Sequence, residues 1–152
     1  MDKREIAVLE AELMESYDLI EQVYKNILKR QATFRDSEEG VDSIAYRLHN
    51  LYGAYERLFE IVVGFFENQI EGTRYHADML RRMKMKINGM RPAFLSSSTA
   101  ESLDELRRFH HFLRHAYGVN LDADRVGRIA QIAIDLEEPF LKDMENFLEQ
   151  LR

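Results

Sequence analysis

Apolar residues recur at steps of three and four along the first part of the chain, from Ile6 to Phe34. This spacing places them on one side of a helix and predicts an amphipathic helix of about seven turns. The stretch "RDSEEG" should break that helix, with Gly40 as the turn residue. Asp42 or Ser43 is then the expected cap of the second helix, because a side-chain oxygen accepts from the free backbone N–H groups there.

The second helix is expected to run to about Gln69. Between Leu58 and Phe66 it is apolar around most of its circumference, with only Glu60 and Gly64 interrupting. A helix of this kind has no face that belongs naturally in water. We therefore expect it to be central in a bundle or to be partly covered by a second subunit.

A third helix is predicted over residues 75–87, followed by the connection "NGMRPAFLSSSTA". The glycine, proline and serines of that stretch are typical of a loop. Ser98, with Glu101 three residues later, or Thr99 supplies the capping signature for a fourth helix. Gly118 is the expected end of that helix, because glycine accepts a left-handed conformation there.

The last helix is predicted to start at Asp122 as N-cap and to reach the C-terminus, with a kink or short break at Pro139. The sequence contains no alternating strand pattern long enough to compete, and no internal repeat. These features predict an all-α fold, an antiparallel bundle of four or five helices, formed by residues 1–152 as one domain.

Composition excludes several classes of protein. The chain has no cysteine, so it forms neither disulfides nor thiolate zinc sites, and a cytoplasmic location is expected. No apolar run approaches the roughly 18–20 residues of a membrane span, and the first residues lack a signal-peptide core. The net charge is −6, which argues against non-specific nucleic-acid binding by the whole surface.

Charge is unevenly distributed, however. Residues 74–115 carry 9 basic and 4 acidic side chains, whereas the segments on either side are acidic. This asymmetry suggests that an anionic ligand docks on the middle segment, or that a basic helix face pairs with acidic residues of neighbouring elements within the fold.

The middle segment ends in "RRFHHFLRHAYG", residues 107–118, which holds three of the five histidines. With about 100° of rotation per residue, Arg108, His111 and His115 line one face of the fourth helix. A solvated polar face is one interpretation. A metal site through His111 and His115 is a second, although a third ligand is missing nearby and the arginines would repel a cation. Phosphate chemistry, with a guanidinium that binds phosphate and a histidine that moves a proton, fits the residue types best.

The stretch "RRFHHFLRHAYGVNLD" resembles the motif of HEPN-domain ribonuclease toxins of the HepT type: Arg, four to six residues, His, any residue, Tyr. Arg108, His115 and Tyr117 satisfy it here. The motif also stands at the end of a late helix, before a turn and an aspartate-capped final helix. The resemblance covers most of the chain as architecture, while its sequence-specific part is about sixteen residues.

The resemblance implies a metal-independent endoribonuclease that acts on RNA, with tRNA one candidate, from a homodimer whose motif helices meet at a positive cleft. Arg108 would bind the scissile phosphate, and His115 would assist attack by the ribose 2′-hydroxyl. It also implies a partner, a minimal nucleotidyltransferase antitoxin that adenylylates the motif tyrosine, which is Tyr117 here. The added bulk and negative charge would oppose RNA binding.

One position departs from the pattern. In many relatives the arginine stands five residues before the histidine, where this chain has His110. Arg108 then takes the longer spacing, or Arg114 substitutes, or the activity is weakened. Arg108, His115, His110 and Arg114 are therefore the candidate catalytic residues, and Arg107 and His111 are candidates for RNA contact.

The run "RRMKMKINGMR", residues 81–91, has no acidic side chain. Its five basic residues are expected either to extend an RNA-contact surface or to form a solvated face: Arg81, Arg82, Lys84, Lys86 and Arg91. In the second case three apolar side chains should turn inward: Met83, Met85 and Ile87.

A different class of function stays open: a non-catalytic helical module that docks a nucleotidyltransferase. The chain has no glycine-rich phosphate loop, no recognisable Ser/His/Asp arrangement and no paired-carboxylate signature. We therefore expect no cofactor, no metal and no ATP-using activity of its own.

Overall fold

Five α-helices account for most of the fold in a computed structural model, which describes residues 1–67, 75–116 and 120–152. The helices are α1 (Lys3–Arg30), α2 (Glu38–Phe66), α3 (Tyr75–Met83), α4 (Ser97–Arg114) and α5 (Ala123–Leu151), with a 3-10 helix at Phe34–Asp36. Within these ranges there is no strand, only an isolated bridge between Ile87 and Arg91. The all-α helical bundle is confirmed.

The connection between α1 and α2 differs from the prediction. α1 ends at Arg30, and Ser37 caps α2 by accepting from the Gly40 backbone N–H at 3.0 Å. A break between the first two helices is confirmed, and it includes the first three residues of "RDSEEG". Gly40 lies in the first turn of α2, however, so it was wrong as the turn residue, and Asp42 and Ser43 were wrong as caps. Glycine is needed for another reason: a Cβ at position 40 would collide with the backbone of Phe34.

α2 is the central helix of the bundle. It packs against α1, α3, α4 and α5, and its side chains Leu58, Phe59 and Val62 are fully buried. Phe59 lies in an aromatic interior with Phe94 and Phe140. The apolar stretch from Leu58 to Phe66 thus packs within one chain, although three of its side chains are only half-buried: Ile61, Phe65 and Phe66. The helix ends at Phe66, with Glu67 as its C-cap.

α3 and α4 are joined by a tight turn. α3 ends at Met83, earlier than predicted, because the Met83 carbonyl accepts from the backbone N–H groups of Phe94 and Leu95. Gly89 supplies the turn with a φ of 76°, a conformation that favours glycine. Ser96 caps α4 through the Thr99 N–H, so Ser98 and Thr99 were wrong as caps.

α5 begins after Asp122, whose side chain accepts from the Asp124 N–H, as predicted. The helix continues through Pro139 without a break, so a break at that residue was wrong. The Tyr17 hydroxyl donates to Glu137 at 2.6 Å and ties α1 to α5. Among the described residues, no helix combines the length and apolar character needed to cross a membrane.

Candidate functional site

The exposed end of α4 carries the cluster found in the sequence. Leu103, Leu106 and Phe109 face the core, and the opposite side presents four exposed basic or titratable side chains. We call these four the α4 cluster: Arg108, His111, Arg114 and His115. The ring centroids of His111 and His115 lie 4.7 Å apart. Helical periodicity therefore places these groups together at the surface, where an anionic ligand has access.

His115 is the C-cap of α4, and its backbone N–H donates to the Phe112 carbonyl at 3.1 Å. Its side chain is exposed. Phe112, behind the cluster, lies under the guanidinium of Arg125, 4.1 Å from the ring centroid. This cation–π contact connects the end of α4 to the start of α5.

His110 contacts α2. Its ring stacks on that of His49, with centroids 3.9 Å apart and planes within 5°. Nδ1 of His110 lies 2.9 Å from the backbone carbonyl oxygen of His49, and the ring of Tyr52 lies 5.3 Å away. The side chain that stands where relatives carry the arginine is thus part of the contact between α2 and α4.

His49 was given no role from the sequence, yet it is the stacking partner of His110. Burial lowers the pKa of His49, and the positive charge of Arg114 acts in the same direction, while a backbone hydrogen bond with His110 acts against them. His49 is therefore favoured as the neutral imidazole near neutral pH. A polar residue on an otherwise apolar helix face was the only signal available in the sequence.

Asp104 forms ion pairs with two arginines of its own helix. Its carboxylate pairs with Arg107 at 2.7 Å and with Arg108 at 3.0 Å, from three and four residues away on α4. Arg108 keeps 66% of its side chain exposed, whereas Arg107 keeps 25%. Such surface pairs are weak, so a phosphate can compete with Asp104 for Arg108.

The basic segment divides into exposed and engaged side chains. Arg81, Lys84 and Lys86 are exposed. Arg82 pairs with Glu67 at 3.0 Å and is mostly covered. Met83 is buried as expected, but Met85 is 42% exposed, so its inward orientation was wrong. The chain leaves the α3 helix before Met85, which removes the helical phase on which that expectation depended.

Arg81 and Lys84 share a cavity of about 350 Å³ with Arg108. The same cavity is lined by three carboxylates: Glu101, Asp104 and Glu105. The structure thus brings Arg81 of α3 and Lys84, which directly follows α3, next to Arg108 of the α4 cluster, although acidic side chains offset their charge.

Arg91 is not part of the surface at all. Its guanidinium is fully buried, ion-paired with Glu67, and donates to the carbonyl oxygens of Arg82, Met85 and Pro92 at 2.9–3.0 Å. Its partners are backbone carbonyls and one buried carboxylate, so it fixes the turn between α3 and α4. A run of basic residues in the sequence does not indicate which of them will be buried in this way.

Three residues of the stretch that carries the motif lie outside the described residues: Tyr117, Gly118 and Val119. The predicted helix end at Gly118 and the surroundings of Tyr117 are therefore not described. Within residues 1–67, 75–116 and 120–152, no three histidine or acidic side chains form a group able to hold a metal ion.

Comparison with known proteins adds one finding. A family model described as "HepT-like protein" matches residues 43–151, a range that begins within α2 and includes α3, α4 and α5 with the whole α4 cluster. No curated protein and no solved structure matches the chain.

Proposed function

Because this chain belongs to the HepT-like family, we propose that it is a metal-independent endoribonuclease whose reaction centre is the α4 cluster. The observation that carries the proposal is the exposed arrangement of Arg108, His111, Arg114 and His115 on one side of α4. A guanidinium and imidazoles that face solvent supply both phosphate binding and proton transfer.

In this mechanism Arg108 exchanges Asp104 for the scissile phosphate of RNA. His115 accepts the proton of the ribose 2′-hydroxyl, and the oxygen attacks phosphorus. The new O2′–P bond replaces the P–O5′ bond, which leaves a 2′,3′-cyclic phosphate and a 5′-hydroxyl that takes up a proton. DNA lacks the attacking hydroxyl, so it is not a substrate.

His110 and Arg114 take different parts in the proposal. Arg114 is exposed at the end of α4, next to His115 in the sequence, and would share the phosphate. His110 stacks on His49 and positions the end of α4. The RNA strand would continue over His111 and Arg107 toward Arg81, Lys84 and Lys86, with Arg82 held back by Glu67.

The family resemblance also supports partners. We propose that the chain works in the cytoplasm as a homodimer and that a minimal nucleotidyltransferase antitoxin neutralises it by adenylylating Tyr117. Tyr117 is two residues from His115 in the sequence, so an added adenylyl group would bring negative charge to the reaction centre and repel RNA.

The second candidate is a non-catalytic binding partner of a nucleotidyltransferase. Two observations favour it: the residue at the usual arginine position, His110, is committed to His49, and Arg108 is already paired with Asp104. Under this proposal the same surface would bind protein and would cut nothing.

Cleavage of a labelled tRNA pool in EDTA distinguishes the two proposals. The wild type, His115→Ala and a surface control on α5, Lys142→Ala, are compared at equal concentration. The nuclease proposal requires cutting by the wild type and Lys142→Ala, with cyclic-phosphate ends, and none by His115→Ala. If no protein cuts, and a co-expressed nucleotidyltransferase co-purifies equally with all three, the binding-partner proposal is supported.

A further inference from the structure

A second cavity, of about 450 Å³, lies where α1, α2 and α4 meet. It is separate from the cavity beside Arg108, because the two share no lining residue. Its size falls within the roughly 300–1,000 Å³ typical of small-ligand sites. We call it the α1–α2 groove.

No carboxylate lines the α1–α2 groove, although the chain has 27 acidic residues. The cavity beside Arg108 has three. The groove instead contains Arg57, which is exposed and takes part in none of the ion pairs among the described residues. An uncompensated guanidinium in a groove free of acids favours an anionic ligand.

The neutral polar groups in the groove are amides and imidazoles. Gln22 and Asn26 come from α1, Asn50 comes from α2, and the stacked rings of His49 and His110 form one wall. Side-chain amides offer donors and acceptors in the paired geometry of base edges, and flat rings offer a stacking surface. Together they suit a nucleobase better than a sugar or a simple ion.

Gly53 keeps the groove open. It lies in the middle of α2, where glycine costs about 0.5–1 kcal/mol relative to alanine, and a Cβ built there would meet nothing within 4 Å. The backbone conformation does not require glycine at this position. Its presence instead leaves space in the groove for another molecule.

The groove lies close to one member of the α4 cluster, Arg114, whose charge acts on His49 in the groove wall. His110, in its wall, is four residues before Arg114 on α4, so the two side chains are one helical turn apart. A strand whose phosphate lies at the α4 cluster therefore reaches the groove within a short distance.

We propose that the α1–α2 groove binds one unpaired nucleotide of the RNA substrate. The base lies against the amides and the wall formed by His49 and His110, and a flanking phosphate binds Arg57. This inference rests on the proposed function, and it adds the site that selects single-stranded RNA and sets its position relative to His115.

The test measures binding and cleavage separately. Binding is measured by fluorescence anisotropy with a labelled single-stranded RNA octanucleotide in 2′-O-methyl form, which has no attacking hydroxyl and stays intact. Gly53→Leu fills the groove, and Gly64→Leu is its matched control, because Gly64 is an exposed α2 glycine with equally open space around its Cβ. Arg57→Gln is a second variant, on a surface side chain whose loss leaves the fold intact.

We expect Gly53→Leu to weaken binding by about tenfold or more, since one stacked base contributes about 1–3 kcal/mol. Arg57→Gln should weaken binding several-fold and flatten its salt dependence, while Gly64→Leu should bind like the wild type. Circular dichroism and light scattering on each variant report folding and oligomeric state.

Several outcomes separate this inference from the proposed function. If the wild type binds RNA without cutting it, and Gly53→Leu and Arg57→Gln lose that binding, the groove is supported and the nuclease proposal is overturned. Cutting with unchanged KM and unchanged product ends in both variants would overturn the groove alone. A change of oligomeric state in Gly53→Leu would assign the groove to a subunit contact and overturn the inference. Absence of RNA binding by the wild type would overturn both the groove and the nuclease proposal.

Discussion

The imidazole of His110 lies parallel to that of His49, 3.9 Å between centroids, while its Nδ1 contacts the His49 carbonyl oxygen at 2.9 Å. α2 and α4 are thus joined through one side chain at the level of the α4 cluster. The side chain at the position where the family motif has an arginine therefore contacts α2, and under the proposed function phosphate binding would fall to other residues of the same helix.

His110→Ala should lower the free energy of unfolding by about 1–2 kcal/mol, because it removes a ring contact and a hydrogen bond. His111→Ala, on the exposed side of the same helix, should change it by less than about 0.5 kcal/mol. Urea unfolding of both variants measures the difference. Equal effects would show that the stack with His49 contributes nothing to stability.

Stability should also fall on acidification through His49. Its pKa in the folded protein lies below the ordinary value of 6.5, so the unfolded chain takes up the proton first. The contribution is complete above the unfolded pKa and is lost as the pH falls from about 6.5 toward the folded pKa. Urea unfolding between about pH 7.5 and 5.5 should show a smaller decrease for His49→Gln than for the wild type; parallel curves would contradict this.

Arg91→Ala should be the most damaging change in the basic segment. It leaves the buried carboxylate of Glu67 and three backbone carbonyls without their shared donor, and breaking such a pair costs about 3–5 kcal/mol. Lys86→Ala, in the same segment but exposed, should cost less than about 0.5 kcal/mol. Thermal unfolding distinguishes the two variants. A small loss of stability in Arg91→Ala would show that Arg91 does not fix the turn between α3 and α4.

Asp104→Asn should strengthen RNA binding. The substitution releases Arg107 and Arg108 from their shared carboxylate, and the dissociation constant for the intact octanucleotide should fall by on the order of threefold to tenfold at low salt. Glu105→Gln makes the same change of charge in the same cavity without releasing an arginine. Equal gains in both variants would mean that overall charge, and not the freed arginines, determines affinity.

Local signals in the sequence were sufficient for much of the fold. The periodicity that begins at Ile6 predicted α1, and the aspartate before α5 predicted its cap, because both depend on residues a few positions apart. The start of α2 was missed because three neighbouring polar residues compete as caps. Ser37 is selected by the packing of Gly40 against Phe34, which no local pattern reveals.

The candidate site was predictable to the same degree. The exposed side of α4 follows from helical phase alone, and the structure places Arg108, His111 and His115 there. The stack of His49 on His110 depends on how α2 and α4 align, and the burial of Arg91 depends on Glu67 at the far end of α2. Both are relations between distant segments, so single-sequence periodicity does not contain them.

The pairing of Arg91 and Arg82 with Glu67 has a consequence for how this chain can vary. Glu67 closes α2, while the arginines belong to α3 and the turn after it, so the two helices are tied by charge at a point independent of residues 68–74. Position 67 therefore has little freedom to vary, because one substitution there would leave both Arg82 and Arg91 without their common carboxylate. Such a change would act on the placement of α3, and through it on the Arg81 side of the cavity next to Arg108.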